Sequence, residues 1–352
     1  MSTASPTPAR SLFGLKSRPK PASYVALLLV GAVIAWLVVN FMDRPMEFLT
    51  VAAIGLTLGS LYGLIALGYT LVYGILELIN FAHGDLFMLG GMMAATVIVS
   101  AFGVNGSAWY VVIPVLLLAL VTCAVFCAGL NVGIEIVAYK RLRNAPRLAP
   151  LITAVAMSFI LQGVGLIWKK ERQVTTNNIV SEAKAFDING FSITWNKLVI
   201  VAITAPVLFG LVYLVQRTRQ GKAMRAVAQD MQAAGMMGIN VNRTISFTFA
   251  LGGALAGIAG VLWMIYPSNM RYDTGFQVGL IAFTAAVLGG IGNLQGAVAG
   301  AMVIGFIQAF NEGLPIGSPG SNWTQSIVFS ILILILVFRP EGLLGERTPE
   351  GQ

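Results

Sequence analysis

Long apolar runs dominate the sequence, and most of them are long enough to cross a lipid bilayer. A spanning helix needs about 20 predominantly apolar residues, since the hydrocarbon core is about 30 Å thick. Such runs occur at 24–41, 47–73, 84–101, 109–138, 150–168, 197–215, 244–266, 276–291, 296–311 and 322–338. The eighth and ninth are short and separated by "GIGNLQG", so together they are also compatible with one broken or re-entrant element. The pattern predicts an all-α polytopic transmembrane helix bundle of about eight to ten spans.

Composition agrees with this pattern and excludes several classes of protein. Of the 352 residues, 57% are hydrophobic and 10% are charged, whereas soluble proteins carry about 25% charged residues. The net charge of +8 lies in three short clusters at span ends, which is typical of membrane topology and not of a nucleic-acid-binding surface. We therefore expect a membrane protein in contact with lipid and with no nucleic-acid partner.

The basic clusters also predict the orientation. They lie at 1–22, 139–147 and 216–243, and ten spans place all three on one side together with the C-terminal tail. Because Lys and Arg are retained on the cytoplasmic side, we expect both termini there and the loops 169–196, 267–275 and 312–321 outside. Residues 1–41 resemble a signal peptide, but the apolar run is long and "NFMDRP" offers no cleavage site, so we expect an uncleaved span in a bacterial inner membrane.

Catalytic signatures are missing from the sequence. His83 is the only histidine, no H-E-x-x-H or C-x-x-C occurs, and "QGKAM" at 220–224 lacks the features of a phosphate-binding loop. We expect no catalytic residue, metal or cofactor in this chain, and any ATP hydrolysis on a separate subunit. The acidic residues of the apolar regions, Glu77, Asp85, Glu135 and Glu312, lie near predicted span ends, which argues against an ion-coupled carrier but leaves that alternative open.

The stretch "ELINFAHGDLFMLGG", residues 77–91, is unusually polar for its surroundings. The topology places it at the cytoplasmic end, between the second and third spans. We expect Asn80 or Asp85 to cap the third span and His83 to act as a hydrogen-bonding strut, so that the stretch either shapes a turn or lines an inner gate.

The loop 216–243 contains a candidate docking helix. Residues 222–237 have the period of an amphipathic helix, with Ala223, Ala226, Val227, Ala234 and Met237 near one face, and Gly238 is a residue type that ends helices. Such a helix is suited to dock on a soluble partner. The alternative is a helix that lies on the membrane surface.

Glycines recur at spacing four in several spans, as tight packing between membrane helices requires. The stripes are Gly55, Gly59 and Gly63; Gly129 and Gly133; Gly253 and Gly257; Gly292, Gly296 and Gly300. A moving seam is a second hypothesis for one cluster only, that of Gly289, Gly290, Gly292 and Gly296.

Several long motifs resemble the permease subunits of ATP-binding-cassette importers for branched-chain amino acids. They are "GLTLGSLYGLIALGYTLVYGILELINFAHGDLFMLGG", "EIVAYKRLR", "RAVAQDMQAAGMMGIN", "FTFALGGALAGIAGVL" and "AFTAAVLGGIGNLQGAVAGAMVIG". The resemblance implies a permease domain at 46–340, preceded by a basic tail at 1–22 and an additional span at 23–45, and followed by a tail at 341–352. We expect the additional span to act as an anchor.

The resemblance also implies partners. Importers of this kind have an E-A-A-x-x-x-G motif that docks on the ATPase, and here Gln232, Ala233, Ala234 and Gly238 have that spacing, with Gln in place of Glu and with Arg225 and Asp230 nearby. It implies two cytoplasmic ATPase subunits, a second homologous permease in a heterodimer, and an external solute-binding protein.

Substrate and pathway remain open at this point. Neutral amino acids, branched-chain ones first, are the expected cargo; urea or short amides are the alternative, and a self-sufficient channel or carrier is the alternative of another class. Candidates for the translocation path or inner gate are the polar and aromatic residues of the glycine-rich helices, namely Tyr62, Tyr69, Tyr73, Asn80, His83 and Asn293.

Overall fold

The structure is a computed structural model that describes residues 21–101, 109–143, 145–146, 148–176, 179–180, 182–188, 190–339 and 341–345. The chain divides into two compact units, Met1–Pro45 and Met46–Gln352. Most of the basic tail expected at 1–22, and residues 346–352 of the C-terminal tail, lie outside the described residues.

The first unit contains one helix, α1, at Pro21–Asp43. From residue 31 onward, most of its apolar side chains lie exposed on the surface of the chain, among them Val33, Ile34 and Phe41. Asn40 donates a hydrogen bond to the carbonyl oxygen of Trp36 one turn earlier, at 2.9 Å. That bond satisfies a polar group within an otherwise apolar helix.

In the residues that the structure describes, the second unit contains nine apolar helices with short pieces between them. These helices are α2 (Pro45–Leu76), α3 (Ala82–Ala95), α4 (Trp109–Ile134), α6 (Leu148–Lys169), α7 (Trp195–Arg217), α10 (Val241–Trp263), α11 (Thr274–Gly289), α12 (Leu294–Gly313) and α13 (Ser321–Phe338). π-helical turns extend α3 over Thr96–Ala101 and α4 over Glu135–Tyr139, and α5 (Lys140–Leu142) follows the second of them.

Eight helices in the described part of the chain are long and apolar enough to cross a membrane, and two further apolar helices, Gly31–Asp43 and Thr274–Gly289, are shorter. The all-α bundle of eight to ten spans is therefore confirmed. The eighth and ninth apolar runs form two separate helices, α11 and α12, joined by a turn at residues 290–293.

Helix α3 lies at the centre of this unit. Among its residues from 82 to 95 only Met93 is not fully buried, and its neighbours are α4, α6, α10 and α11. Close approach is possible because small residues meet at the crossings: a Cβ at Gly84 would lie 2.8 Å from the Cα of Gly279, closer than real Cβ atoms come to a backbone atom. In lipid, such close backbone packing supplies much of the attraction between helices.

One end of the bundle gathers the basic loops, and we call it the basic end. There Arg143, just after α5, hydrogen-bonds to Asn242 in the first turn of α10, so the loops 139–147 and 216–243 lie together. The turn between α2 and α3 lies at the same end, since the hydroxyl of Tyr139 donates to the side chain of Asn80.

The opposite end carries the few strands. β1 (Val174–Thr175) pairs antiparallel with β4 (Asn269–Met270), and β2 (Lys184–Ile188) pairs antiparallel with β3 (Phe191–Thr194). The buried hydroxyl of Thr176 donates to the carbonyl oxygen of Met264 at 2.6 Å, which ties the first strand pair to the end of α10.

Candidate functional site

The predicted docking helix is two helices, not one. α8 covers Arg219–Gln229 and α9 covers Met231–Met236. Between them Asp230 is extended, and its carboxylate accepts hydrogen bonds from the backbone N–H groups of Gln232 and Ala233, at 2.7 and 2.9 Å. The single helix expected over 222–237 is therefore corrected: an aspartate that caps a new helix competes successfully with continuation of the old one.

The second helix ends where the sequence predicted. Gly238 has φ +82°, a left-handed conformation that glycine adopts without steric penalty. The N–H of Ile239 returns to the carbonyl oxygen of Ala234 at 3.1 Å, and the side chain of Asn240 then caps α10. Only Met237–Asn240 separate α9 from α10, so the docking segment is short and tightly connected to a core helix.

The two faces of this α8–α9 segment are distinct. Met224, Val227 and Ala234 are buried against the bundle. Gln232 and Gly238 are exposed, Ala233 is half-buried, and Met236 and Met237 are each 83% exposed. Met237 does not share a face with Ala223, Ala226, Val227 and Ala234 as predicted, because α9 ends at Met236 and Met237 is exposed. Two neighbouring exposed methionines beside a capped turn form the most prominent apolar feature of this segment.

Arg225 is engaged within the chain. Its guanidinium donates to the carbonyl oxygen of Val215, one of the last carbonyls of α7. This bond stabilises the sharp turn between α7 and α8, where Gly221 packs so closely on the Leu214 and Val215 carbonyls that a Cβ would overlap them. The sequence placed Arg225 near the docking motif and did not indicate this structural role.

The polar stretch between α2 and α3 does not cap α3. The residue at the cap position is Phe81, whose side chain makes no capping hydrogen bond, so the expected caps Asn80 and Asp85 were wrong. Asn80 is buried and accepts from the Tyr139 hydroxyl at 3.0 Å, and its amide lies 3.5 Å from the side-chain oxygen of Asn131. It therefore fixes the turn to α4 and its π-helical extension.

His83 and Asp85 lie inside the bundle. His83 packs edge-on against Tyr69 with ring centroids 4.9 Å apart, and its ring lies beside the backbone of Ile65. The ring fills space left by Gly68, where a Cβ would overlap it, and the hydrogen-bonding strut stays a prediction. Asp85 lies in the first turn of α3, near the span end as expected, but it is fully buried and accepts a hydrogen bond from Ser158 of α6 at 2.5 Å.

A small cleft opens at the basic end and takes up two of the path candidates. It has room for roughly one water molecule and is lined by Tyr69, Tyr73, Ile79, Phe283, Ala286 and Ile291. The lining is aromatic and aliphatic, with tyrosine hydroxyls as its polar groups. It joins α2, the turn before α3, α11 and the turn after it, so the cleft changes shape if these elements move.

The remaining path candidates are not brought into this cleft. Tyr62 donates to Gln308 of α12 at 2.6 Å and packs near Trp263, farther along α2 toward the opposite end. Asn293 caps α12 through the N–H of Gly296, and its amide donates to the carbonyl oxygen of Leu344 at 2.8 Å. Asn293 therefore holds the C-terminal segment to the α11–α12 turn.

The glycine cluster of the proposed seam forms a close hairpin. A Cβ on Gly289 or Gly296 would overlap the backbone of the other, so α11 and α12 touch at this point. Gly290 and Gly292 have φ +104° and +95°, as the turn requires. Leu343 and Leu344 add backbone hydrogen bonds to Leu288 and Gly289 at 2.8 and 3.0 Å. Movement along this seam stays a prediction.

A buried ion pair at the basic end was not anticipated. Glu135, fully buried, pairs with Arg143 and also accepts from Ser246 of α10 at 2.7 Å. The available signal was an acidic residue directly before a basic cluster, in "EIVAYKRLR". In the described part of the chain, no group of three potential metal ligands occurs.

Comparisons with known proteins agree with this architecture. Residues 51–337 match the family model described as branched-chain amino acid transport system / permease component. The permease protein BraD of a high-affinity branched-chain amino acid transport system in Pseudomonas aeruginosa is 38% identical over 305 residues, which cover 84% of this chain and 95% of BraD. LivH of Escherichia coli, named for the same kind of system, is 36% identical over 304 residues, with coverage of 84% and 95%.

A more distant relative is named for a different cargo. The ribose import permease protein RbsC of Escherichia coli is 28% identical over 321 residues, 90% of this chain and 91% of its own. No solved structure matches the chain. The resemblance read from the motifs is confirmed, and the chain belongs to the family of branched-chain amino acid transport system permease components.

Proposed function

We propose that this chain is the membrane permease subunit of an ATP-driven importer that moves branched-chain amino acids into the cytoplasm. The observation that carries the proposal is the identity of 38% to BraD along 95% of the length of BraD. Within the chain, an exposed two-helix segment, α8–α9, is joined directly to the core helix α10. Such a segment suits a subunit that receives motion from a partner and performs no chemistry of its own.

We propose that the basic end faces the cytoplasm, with both termini on that side of a bacterial inner membrane. The support is geometric: two of the three basic clusters that the positive-inside rule assigns to one side, 139–147 and 216–243, are joined by the bond between Arg143 and Asn242. The cleft of Tyr69 and Tyr73 then opens toward the cytoplasm, where cargo leaves.

The proposed partners follow from this arrangement. Two cytoplasmic ATPase subunits would contact α8–α9, a solute-binding protein would deliver cargo to the opposite end, and a second related permease would complete the pore. ATP-driven closure favours one of two bundle conformations because the partners bind the two with different free energies. Cargo binds more weakly in the inward-facing conformation, which gives transport its direction.

Met236 and Met237 are the proposed anchors for the ATPase. Full burial of one methionine side chain contributes about 1.5–3 kcal/mol, and both side chains are almost entirely free to be buried. The double substitution Met236→Glu with Met237→Glu should therefore reduce copurification of the ATPases at least tenfold. Gln229→Glu, which adds a charge on the exposed surface of α8, is the matched control and should copurify normally. Undiminished copurification of the double variant would refute this docking site.

The test of function is uptake by the copurified complex in vesicles. With ATP inside, labelled leucine should accumulate, and unlabelled leucine, isoleucine and valine should compete better than alanine, urea or ribose. Preferential competition by urea would support the short-amide alternative. Uptake by this chain alone, driven by an ion gradient and independent of ATP, would overturn the importer in favour of a carrier or channel.

A further inference from the structure

Two sets of polar contacts at the basic end tie the N-terminal part of α10 to the end of α4 and its π-helical extension. The first set begins at the exposed side chain of Asn242, in the first turn of α10, which accepts a hydrogen bond from Arg143 at 2.6 Å. Arg143 pairs with Glu135, and Glu135 accepts from Ser246, one turn farther along α10. The N-terminal part of α10 is thus bonded to the end of α4 through two side chains.

A second set connects α10 to the turn before α3, and it is joined to the first set through the backbones of α10 and of Glu135–Tyr139. Asn131 donates to the backbone carbonyl of Phe249 in α10 at 2.7 Å. Asn131 also lies 3.5 Å from the amide of Asn80, and Tyr139 donates to the oxygen of Asn80 at 3.0 Å. Asn80 follows directly after Ile79, which lines the cleft.

The helix between these contacts is not a regular α-helix. Glu135–Tyr139 is π-helical, and its first and last residues are the ones that bond to α10 and to Asn80. Such segments disrupt the regular ladder of hydrogen bonds and are frequent at functional sites. On the far side of the turn, Glu77 has φ +52°, an unfavourable conformation for a residue with a Cβ.

We infer that Asn80, Asn131, Glu135, Tyr139 and Arg143 form a relay that passes displacement of the α8–α9 segment to the turn 77–80 at the cleft. The segment is joined to α10 by only Met237–Asn240, with Asn240 capping α10, so a pull on it moves the first turns of α10. Those turns bond to the relay residues through Asn242, Ser246 and Phe249. At the other end of the relay, Asn80 lies next to Ile79 in the wall of the cleft. This inference rests on the proposed function.

The alternative is that these contacts only stabilise the folded bundle. A buried polar group of a membrane helix is costly when it has no hydrogen-bond partner. These contacts therefore stabilise the fold whether or not they also form a relay. The two possibilities differ in one respect: a structural role changes the amount of complex, whereas a relay changes how much cargo moves for each ATP.

Tyr139→Phe isolates the last contact of the relay. It keeps the buried ring, which packs against Phe249, and removes the hydroxyl that donates to Asn80. Thr248→Val is the matched control, since it removes a buried hydroxyl of α10 whose bond stays within its own helix, to the carbonyl of Thr244. Both variants should assemble with the ATPases in normal amounts.

The measurement is leucine uptake per ATP hydrolysed by reconstituted complexes. Loss of one neutral hydrogen bond changes a conformational equilibrium about fivefold, so Tyr139→Phe should hydrolyse ATP within twofold of the wild type and transport about fivefold less per ATP. Thr248→Val should keep the wild-type ratio. Glu135→Gln should also lower the ratio, and its combination with Tyr139→Phe should lower it by less than the product of the two effects.

A second readout follows the cleft directly. Cysteines at Ile79 and Ile291, which both line it, should cross-link to different extents with and without ATP, and Tyr139→Phe should remove that difference. A wild-type transport ratio together with nucleotide-dependent cross-linking in Tyr139→Phe would overturn the relay. If the wild-type complex itself neither assembles nor transports, the proposed function fails instead, so the two failures are distinguishable.

Discussion

Helices α4 and α10 should separate if Gly257 gains a single methyl group. A Cβ at this position would lie 2.6 Å from the carbonyl carbon of Cys123 and 3.0 Å from the backbone nitrogen of Ala124. Both are backbone atoms of α4, so no side-chain rotation relieves the overlap. The two helices must move apart, or α4 must shift along its length.

The size of the effect follows from two opposing contributions. Overpacking a well-packed core costs about 1–3 kcal/mol. Replacing glycine by alanine in a helix gains up to about 1 kcal/mol. Gly257→Ala should therefore lower the free energy of unfolding by about 1–2 kcal/mol. Gly129→Ala, on the same α4 but with nothing within 4 Å of its new Cβ, should leave stability unchanged or raise it slightly.

Equilibrium unfolding in mixed micelles, with increasing denaturing detergent, measures this difference. The two variants share the chemical change and the helix propensity, so their difference isolates the contact with α4. Equal stability of Gly257→Ala and Gly129→Ala would refute the packing that the structure assigns to this crossing. A loss of stability in both would mean that the outward face of α4 is packed against something as well.

Three further predictions concern the ends of the bundle. Asp230→Ala should remove the cap of α9, at a cost of about 1 kcal/mol, and raise amide hydrogen exchange in α9, whereas Asp230→Asn should retain the cap. The guanidinium of Arg271 holds the pKa of the Asp273 carboxyl below its usual range, so this ion pair stabilises its loop at neutral pH and is lost only as the pH falls through that lowered pKa. Amide exchange at 271–274, corrected for intrinsic rates, should therefore be constant from pH 7 to about pH 4.5. In Asp273→Asn, the exchange at these residues should be faster. Asn293→Ala should free the carbonyl of Leu344, so limited proteolysis should remove the C-terminal segment faster than in the wild type.

The helices could be predicted from sequence, but their buried faces could not. In the described part of the chain, the apolar runs located the eight helices that are long enough to span a bilayer and the two shorter ones, because the bilayer thickness sets the length of a span. On α4, the stripes Gly129–Gly133 and Cys123–Cys127 both have spacing four. Only the cysteine stripe faces α10, and both glycines point into open space. Lipid and protein interior are equally apolar, so hydrophobicity does not distinguish a lipid-facing stripe from a packed one.

The break in the docking segment was within reach of the sequence. The amphipathic period of 222–237 continues smoothly across Asp230, and a period alone predicts one helix. However, aspartate is one of the residue types that commonly begin a helix. Here its carboxylate accepts hydrogen bonds from the N–H groups of the residues two and three positions further along, Gln232 and Ala233. The period reports which face is buried, whereas the side-chain chemistry reports where the backbone turns, and here the two disagree.

The acidic residues are the place where sequence reasoning failed for a physical reason. Asp85 and Glu135 lie near the ends of apolar runs, where water is the expected partner, yet both are fully buried. Their donors, Ser158 and Ser246, lie on other helices that are distant in sequence. No local pattern encodes such a pairing, because it depends on which helices touch. A buried carboxyl group is costly in a membrane, and Glu135 is balanced by Arg143 whereas one oxygen of Asp85 has no partner among the described residues. At the ends of the spans, the packing of the helices therefore decides whether a polar group is buried and which partner it bonds to, more than the local composition does.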